Sequence, residues 1–215
     1  MVTAGRIIVL GTTRVGEKNL VVHALSPIFG RRSFITAAGG RAGAMSRWQP
    51  LSVLDAEVAE NPKSDLWRLR NVSAAYPLMS LRTDIFKSAI SMFMAEVLFR
   101  SVRDGAEPGL YEWCEKSVLT LDSLEDSYSN YHLRWLLELC SALGFTPSME
   151  DIAPFAGEHL SEILALMGPF GESLLVPLDG RSRSAIADSL LEYLSAHLEY
   201  RLNIRSLPVL AELFR

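Results

Sequence analysis

The chain has 215 residues, 49% of them hydrophobic, and only two cysteines. That composition excludes wholesale disorder and a disulfide-built scaffold, and no apolar run reaches the roughly 18 to 20 residues that span a bilayer. The net charge of −4 hides an asymmetry: residues 1–82 hold eleven Lys and Arg against five Asp and Glu, residues 83–215 ten against twenty, so the first part suits a polyanionic partner.

In chain order, "RIIVLGTT", "NLVVHALS", "SFITAAGG", "LSVLDAEVAE" and "LWRLRNV" read as five strands separated by turn residues. In the fourth, Leu54, Ala56 and Val58 alternate with Asp55 and Glu57; in the fifth, Trp67 and Leu69 alternate with Arg68 and Arg70. Five strands in about 75 residues with no helical period between them predict a small closed barrel such as an OB-fold. The spacing predicts a barrel domain over 1–80 and an all-helical domain over 81–215, an α+β architecture.

The fragment "GTTRVGEKN" comes close to a Walker phosphate loop. That loop needs Lys directly after its second Gly, then Ser or Thr, with a helix N-terminus behind them. Here Glu17 holds the lysine position, Asn19 replaces the hydroxyl, and a strand follows. The fragment therefore reads as a hairpin loop, with no nucleotide expected. What it carries is Arg14 and Lys18; the next turn adds Arg31 and Arg32, and the loop beyond adds Arg41 and Arg47. OB-folds track a nucleic-acid backbone with such cations and stack bases on aromatics. Phe29, Phe34 and Trp48 are the stacking candidates, with core packing the commoner use of such residues.

After Tyr76-Pro77 the period becomes helical: Phe86, Ile90, Phe93 and Val97 form one stripe. "NYHLRWLLELCSALG" continues as a helix with Gly144 at its C-terminal end, and Ser148 with Asp151 offers a capping box. Residues 145–182, broken by Pro and Gly, are predicted irregular. "SAIADSLLEYLSAHLE" is a last long helix. Cys114 and Cys140 fall on apolar faces and read as buried thiols, and the four histidines stand at no ligand spacing. No metal site, cofactor or paired nucleophile and base is expected, so the chain does not read as an enzyme. The first twenty residues lack a signal-peptide layout, which points to the cytoplasm.

These stretches together resemble the RecO family of bacterial recombination mediators. "GRIIVLGTTRVGEKNLVVHALSPIFGRRSFITAAGGRAG", "WQPLSVLDAEV", "LRWLLELCSALGF" and "LLEYLSAHLEYRLNIRSLPVLAEL" are similar to that family's segments, in its order and over nearly the whole chain. The resemblance implies an OB-fold followed by a helical domain, a non-enzymatic protein associated with the bacterial nucleoid. It also implies binding of single- and double-stranded DNA, annealing of complementary strands, and work with RecR to load RecA onto DNA coated by single-stranded DNA-binding protein (SSB). Arg14, Lys18, Arg31, Arg32, Arg41, Arg47, Arg68 and Arg70 would then contact DNA. Binding of the acidic SSB tail would fall to the helical domain, with Arg134 as the charged anchor between Leu133 and Trp135; an ion pair with Glu138, at i+4, is the competing reading. Two departures stand out. Many relatives carry a Cys-x-x-Cys zinc site where residues 145–182 have no cysteine, so that segment must be held by packing. The family's basic loop keeps only Arg41 and Arg47 here. The alternative reading is a protein-interaction adaptor whose barrel is only a scaffold.

Overall fold

A computed structural model of the chain describes residues 1–38 and 46–215. Arg41 lies outside the described residues. The N-terminal strands are β1 (Val2–Val15), β2 (Asn19–Ser26), β3 (Gly30–Ala37), β4 (Val53–Ala59) and β5 (Trp67–Ala74). They close into a barrel in the order β1-β2-β3-β5-β4. All pairings are antiparallel except the short β3–β5 contact, where Phe34 faces Trp67 and Ile35 faces Arg68. This is the five-stranded OB-type barrel that the turn spacing predicts.

Closure depends on β1 serving both sides. Its first half, Val2 to Ile8, pairs with β4, and its second half pairs with β2. The register shifts between Val9 and Gly11, and such a bulge bends a strand enough to turn a barrel's corner. Alternation then sends Ile7, Val9, Leu20, Val22, Phe34, Leu54, Ala56, Val58 and Leu69 into one core, completed by Trp48. Phe34 and Trp48 are therefore core residues, not platforms for bases. Gly16, at φ +62°, makes the tight turn between β1 and β2. Gly11, expected in that loop, lies inside β1, whose pairing runs on to Val15 opposite Asn19.

The helices are α1 (Met79–Thr83), α2 (Ile85–Ser101), α3 (Leu110–Ser123), α4 (Tyr131–Ala142), α5 (Met149–Ala156), α6 (Leu160–Leu166), α7 (Phe170–Leu174), α8 (Gly180–Leu198) and α9 (Ser206–Leu213). Two compact units result, residues 1–79 with 98–118, and residues 80–97 with 119–215. The division is not one cut near residue 80, because segment 98–118 is fastened to the barrel. The Arg6 guanidinium donates to Asp55 (3.1 Å), Tyr76 Oη (3.1 Å) and Glu115 (3.0 Å). These bonds hold Arg6 charged well above its ordinary range, the hydrogen bonds to Asp55 and then Glu115 being the main causes. At the far end of the segment, Gly105 bridges Gly30. Gly30 has φ +64°, and a Cβ there would collide with the Gly105 carbonyl. Glycine at 30 is thus required both by its conformation and by the close approach.

In the helical unit, Ile90, Phe93 and Val97 are buried as the stripe predicts, while Phe86 stays 37% exposed with its ring against Phe214. Lys87 is buried, and its ammonium donates to Ser80 and to the Asp122 and Leu124 carbonyls where α3 ends. Asp84 accepts from the first amides of α2 and from Tyr128. The C-terminus of α4 closes with Gly144 N–H on Ser141 and Phe145 N–H on Cys140, a Schellman arrangement around Gly144 at φ +95°. The Ser148–Asp151 capping box forms as the spacing predicts.

Residues 145–182 depart from the expectation of irregularity. They form α5, a 3-10 turn over Gly157–His159, α6 and α7. Proline and glycine set helix ends here: Pro169 precedes α7, and Gly157 at φ +52° ends α5. Packing does hold the segment, through buried Ile152, Ala156, Ile163, Leu166 and Leu174. Side chains brace it as well: Asn130 donates to the Leu174 and Val176 carbonyls, and Arg183 donates to Asn130 and the Leu178 carbonyl. Among the described residues no group of His, Cys, Asp and Glu is gathered to hold a metal ion, and no helix is long and apolar enough to cross a membrane.

Candidate nucleic-acid interface

The barrel unit sorts its predicted cations into two kinds. Arg14 and Lys18 are exposed at the tip of the β1–β2 hairpin, and Arg68 and Arg70 point outward from β5. None of the four is in an ion pair with a described residue. Arg70 lies opposite Glu57 in the ladder, but Glu57 is held by Asn71, which sits at φ +48° where β5 bulges against β4. Arg47 is different: its guanidinium donates to the Val72 carbonyl at 2.8 Å and braces the end of β5.

Arg31 and Arg32 are not turn residues; they begin β3. Both are half-buried in a cleft of about 400 Å³ lined by residues of the barrel and of segment 98–118. Arg31 pairs with Asp104 at 2.7 Å and lies over the Phe99 ring at 5.4 Å. Arg32 stacks on Trp67 with its guanidinium carbon 3.6 Å from the ring centre, and Phe29 meets the same indole edge-on at 5.1 Å. The Nε of each arginine is out of solvent with no acceptor among the described residues. Each such unsatisfied buried donor costs about 1 to 3 kcal/mol, while the outer face of the Arg31 guanidinium is taken by Asp104.

His23 stands beside them on β2, between Thr13 and Ser33, with its ring 5.0 Å from Phe99. Burial lowers its pKa first, and the Arg31 charge lowers it further. Both shifts favour the uncharged ring, whose two nitrogens are engaged by Thr13 and Ser33.

Along β2, Arg14 sits at the level of Leu20 and Arg31 at the level of Leu25, five steps or roughly 17 Å apart. Arg68, at the level of Ile35 and so of Val21, falls between them. Trp67 packs against the barrel core, as its alternation with Arg68 and Arg70 predicts, and its ring also lies under Arg32. Phe99 and Asp104, which no spacing in the sequence points to, come from a segment some 70 residues downstream of Arg31 and Arg32. The Gly30–Gly105 contact and the Arg6–Glu115 bond bring the segment in.

In the helical unit, Arg134 does form the ion pair with Glu138 (2.8 Å), and it also donates to the Leu166 (2.9 Å) and Gly168 (2.6 Å) carbonyls at the end of α6. Leu133 and Trp135 are 0% and 1% exposed. These two give a peptide no apolar surface, because α4 turns both faces beside Arg134 into the core. Cys114 and Cys140 are buried free thiols whose pKa burial pushes up, that of Cys140 to about 12, so neither offers a thiolate near neutrality.

A family model described as "Recombination protein O C terminal" matches residues 82–154. The DNA repair protein RecO of Phocaeicola vulgatus is 31% identical, the alignment covering 96% of this chain and 97% of that protein. Proteins of the same name from Bacteroides fragilis and Flavobacterium johnsoniae are 28% and 29% identical, again over at least 96% of each chain.

Proposed function

The chain belongs to the RecO family of DNA repair proteins, and from that premise we propose that it is a non-enzymatic DNA repair mediator whose barrel unit is the DNA-binding surface. In this reading it binds single- and double-stranded DNA and anneals complementary strands. With RecR it helps load RecA onto SSB-coated DNA. The supporting observation is the set of exposed cations, Arg14, Lys18, Arg68 and Arg70, unpaired with any carboxylate among the described residues, on a unit whose cleft adds Arg31 and Arg32. A strand laid from the hairpin tip past Arg68 to the cleft would meet a cation at each stage. Phosphate contacts of this kind position a backbone without reading sequence.

The acidic SSB tail is the proposed partner of the helical unit. Arg134 is an internal brace there, so the apolar pocket that such a tail requires must be formed by residues other than Leu133 and Trp135. The test is annealing of two complementary labelled oligonucleotides, bare and SSB-coated, with and without a metal chelator. The mediator reading expects acceleration in both states, unaffected by the chelator. Absence of both annealing and oligonucleotide binding would leave the adaptor reading in its place.

A further inference from the structure

The Arg31–Asp104 pair is odd for a solvated surface. Asp104 is 81% exposed, yet its carboxylate reaches the guanidinium of a half-buried arginine at 2.7 Å. It is delivered there by Gly105, at φ +112°, which bridges Gly30 at the start of β3. A carboxylate on a guanidinium occupies the place that a phosphate oxygen would take, since both anions accept the same paired N–H donors. Beside it, Arg32, backed by the Trp67 ring, and Phe29 form an aromatic-cationic wall with Leu66 and Asp65 at its rim, and the cleft of about 400 Å³ lies within the range of small-ligand sites.

We propose that this cleft is a subsite for one unstacked nucleotide of single-stranded DNA, its phosphate replacing the Asp104 carboxylate on Arg31 and its base lying against the Arg32–Trp67 stack. The inference rests on the reading of the barrel unit as a DNA-binding surface. Asp104 is then an internal competitor, holding Arg31 until a strand displaces it. A base can use the cleft only when it is free of its neighbours, because stacking on an aromatic or guanidinium plane requires an open π-face. Duplex DNA, whose bases stay stacked, binds the exposed cations and bypasses the cleft. Segment 98–118 thus gives the barrel a preference for single strands that its charge alone would not produce.

The experiment measures the affinity of the full chain for a fluorescein-labelled twenty-residue oligothymidylate and for a duplex of equal length, by anisotropy at fixed salt. Asp104→Asn removes the competing charge and leaves the exposed loop's shape unchanged. The expected result is roughly threefold to fivefold tighter binding of the single strand, the worth of one exposed ion pair, with a smaller gain on the duplex. In an Arg31→Ala background the same substitution should give no gain. A Trp67→Phe variant should lose the quenching of tryptophan fluorescence that the oligothymidylate causes in the wild type. An equal gain from Asp104→Asn with or without Arg31, or on duplex as on single strand, would mean bulk electrostatics and would overturn the subsite. Single-strand binding that responds to none of these substitutions overturns the subsite while leaving the DNA-binding reading in place. No binding by any variant overturns both.

Discussion

Cations in the two units do different work. In the barrel unit, Arg14, Lys18, Arg68 and Arg70 are exposed and free of carboxylates among the described residues. In the helical unit, Lys87, Arg134 and Arg183 each donate to main-chain carbonyls at helix ends or in connecting loops. A positive charge near helix C-terminal carbonyls satisfies orphan acceptors and complements the dipole. Arg6 and Arg47 brace the barrel unit as well, so its exposed cations are a subset that no framework role claims.

The comparison breaks most visibly at Lys87. Replacing it with Met leaves the Asp122 and Leu124 carbonyls without their donor, and should cost about 3 kcal/mol in urea unfolding. Lys18→Met should change stability by less than about 0.5 kcal/mol. Equal losses at the two lysines would dissolve the distinction. Next comes His132, fully enclosed between the Phe93 and Phe214 rings. Burial, then the Arg183 charge, lowers its pKa to about 3. Its unfolded value near 6.5 means that the unfolded chain takes up the proton first as pH falls. The contribution is intact above pH 6.5 and declines from there towards pH 3, by about 2 kcal/mol between pH 7.5 and 5. His132→Phe should flatten that part of the stability profile; an unchanged slope would show that the histidine is not held neutral. A smaller effect is expected at Arg134, where Lys keeps the charge but cannot fork across Glu138 and two carbonyls. Arg134→Lys should lose about 1 to 2 kcal/mol of stability, and thermal melts that match the wild type would return Arg134 to the surface.

The barrel is legible because its strands alternate cleanly and its turns are marked: Leu54, Ala56 and Val58 face in as their spacing requires; in the helical unit the Gly144 and Ser148 helix ends form as expected. Over residues 145–182, Pro and Gly predict irregular chain, whereas three short helices use Gly157 and Pro169 as their punctuation. The cations were legible as charges but not as roles. Periodicity reports which way a side chain leaves the backbone, and it is silent on what arrives from elsewhere in the chain. Arg134 looked like an anchor because its neighbours are apolar, and those neighbours are apolar because they are core. Arg31 and Arg32 looked like turn residues, but Gly30 starts the strand one step before them and admits Gly105 with Asp104 beside it.

The most direct test of the account is the salt dependence of single-strand binding by the wild type and by a variant with Arg14, Lys18, Arg68 and Arg70 all changed to Ala. Each phosphate contact on a single strand contributes about 0.7 to the slope of log affinity against log salt. The account predicts that the variant keeps its melting temperature, binds all sequences more weakly, and loses roughly 2 to 3 from that slope. A variant with the wild-type slope and affinity would contradict it, because the free cations of the barrel would then have no part in holding DNA.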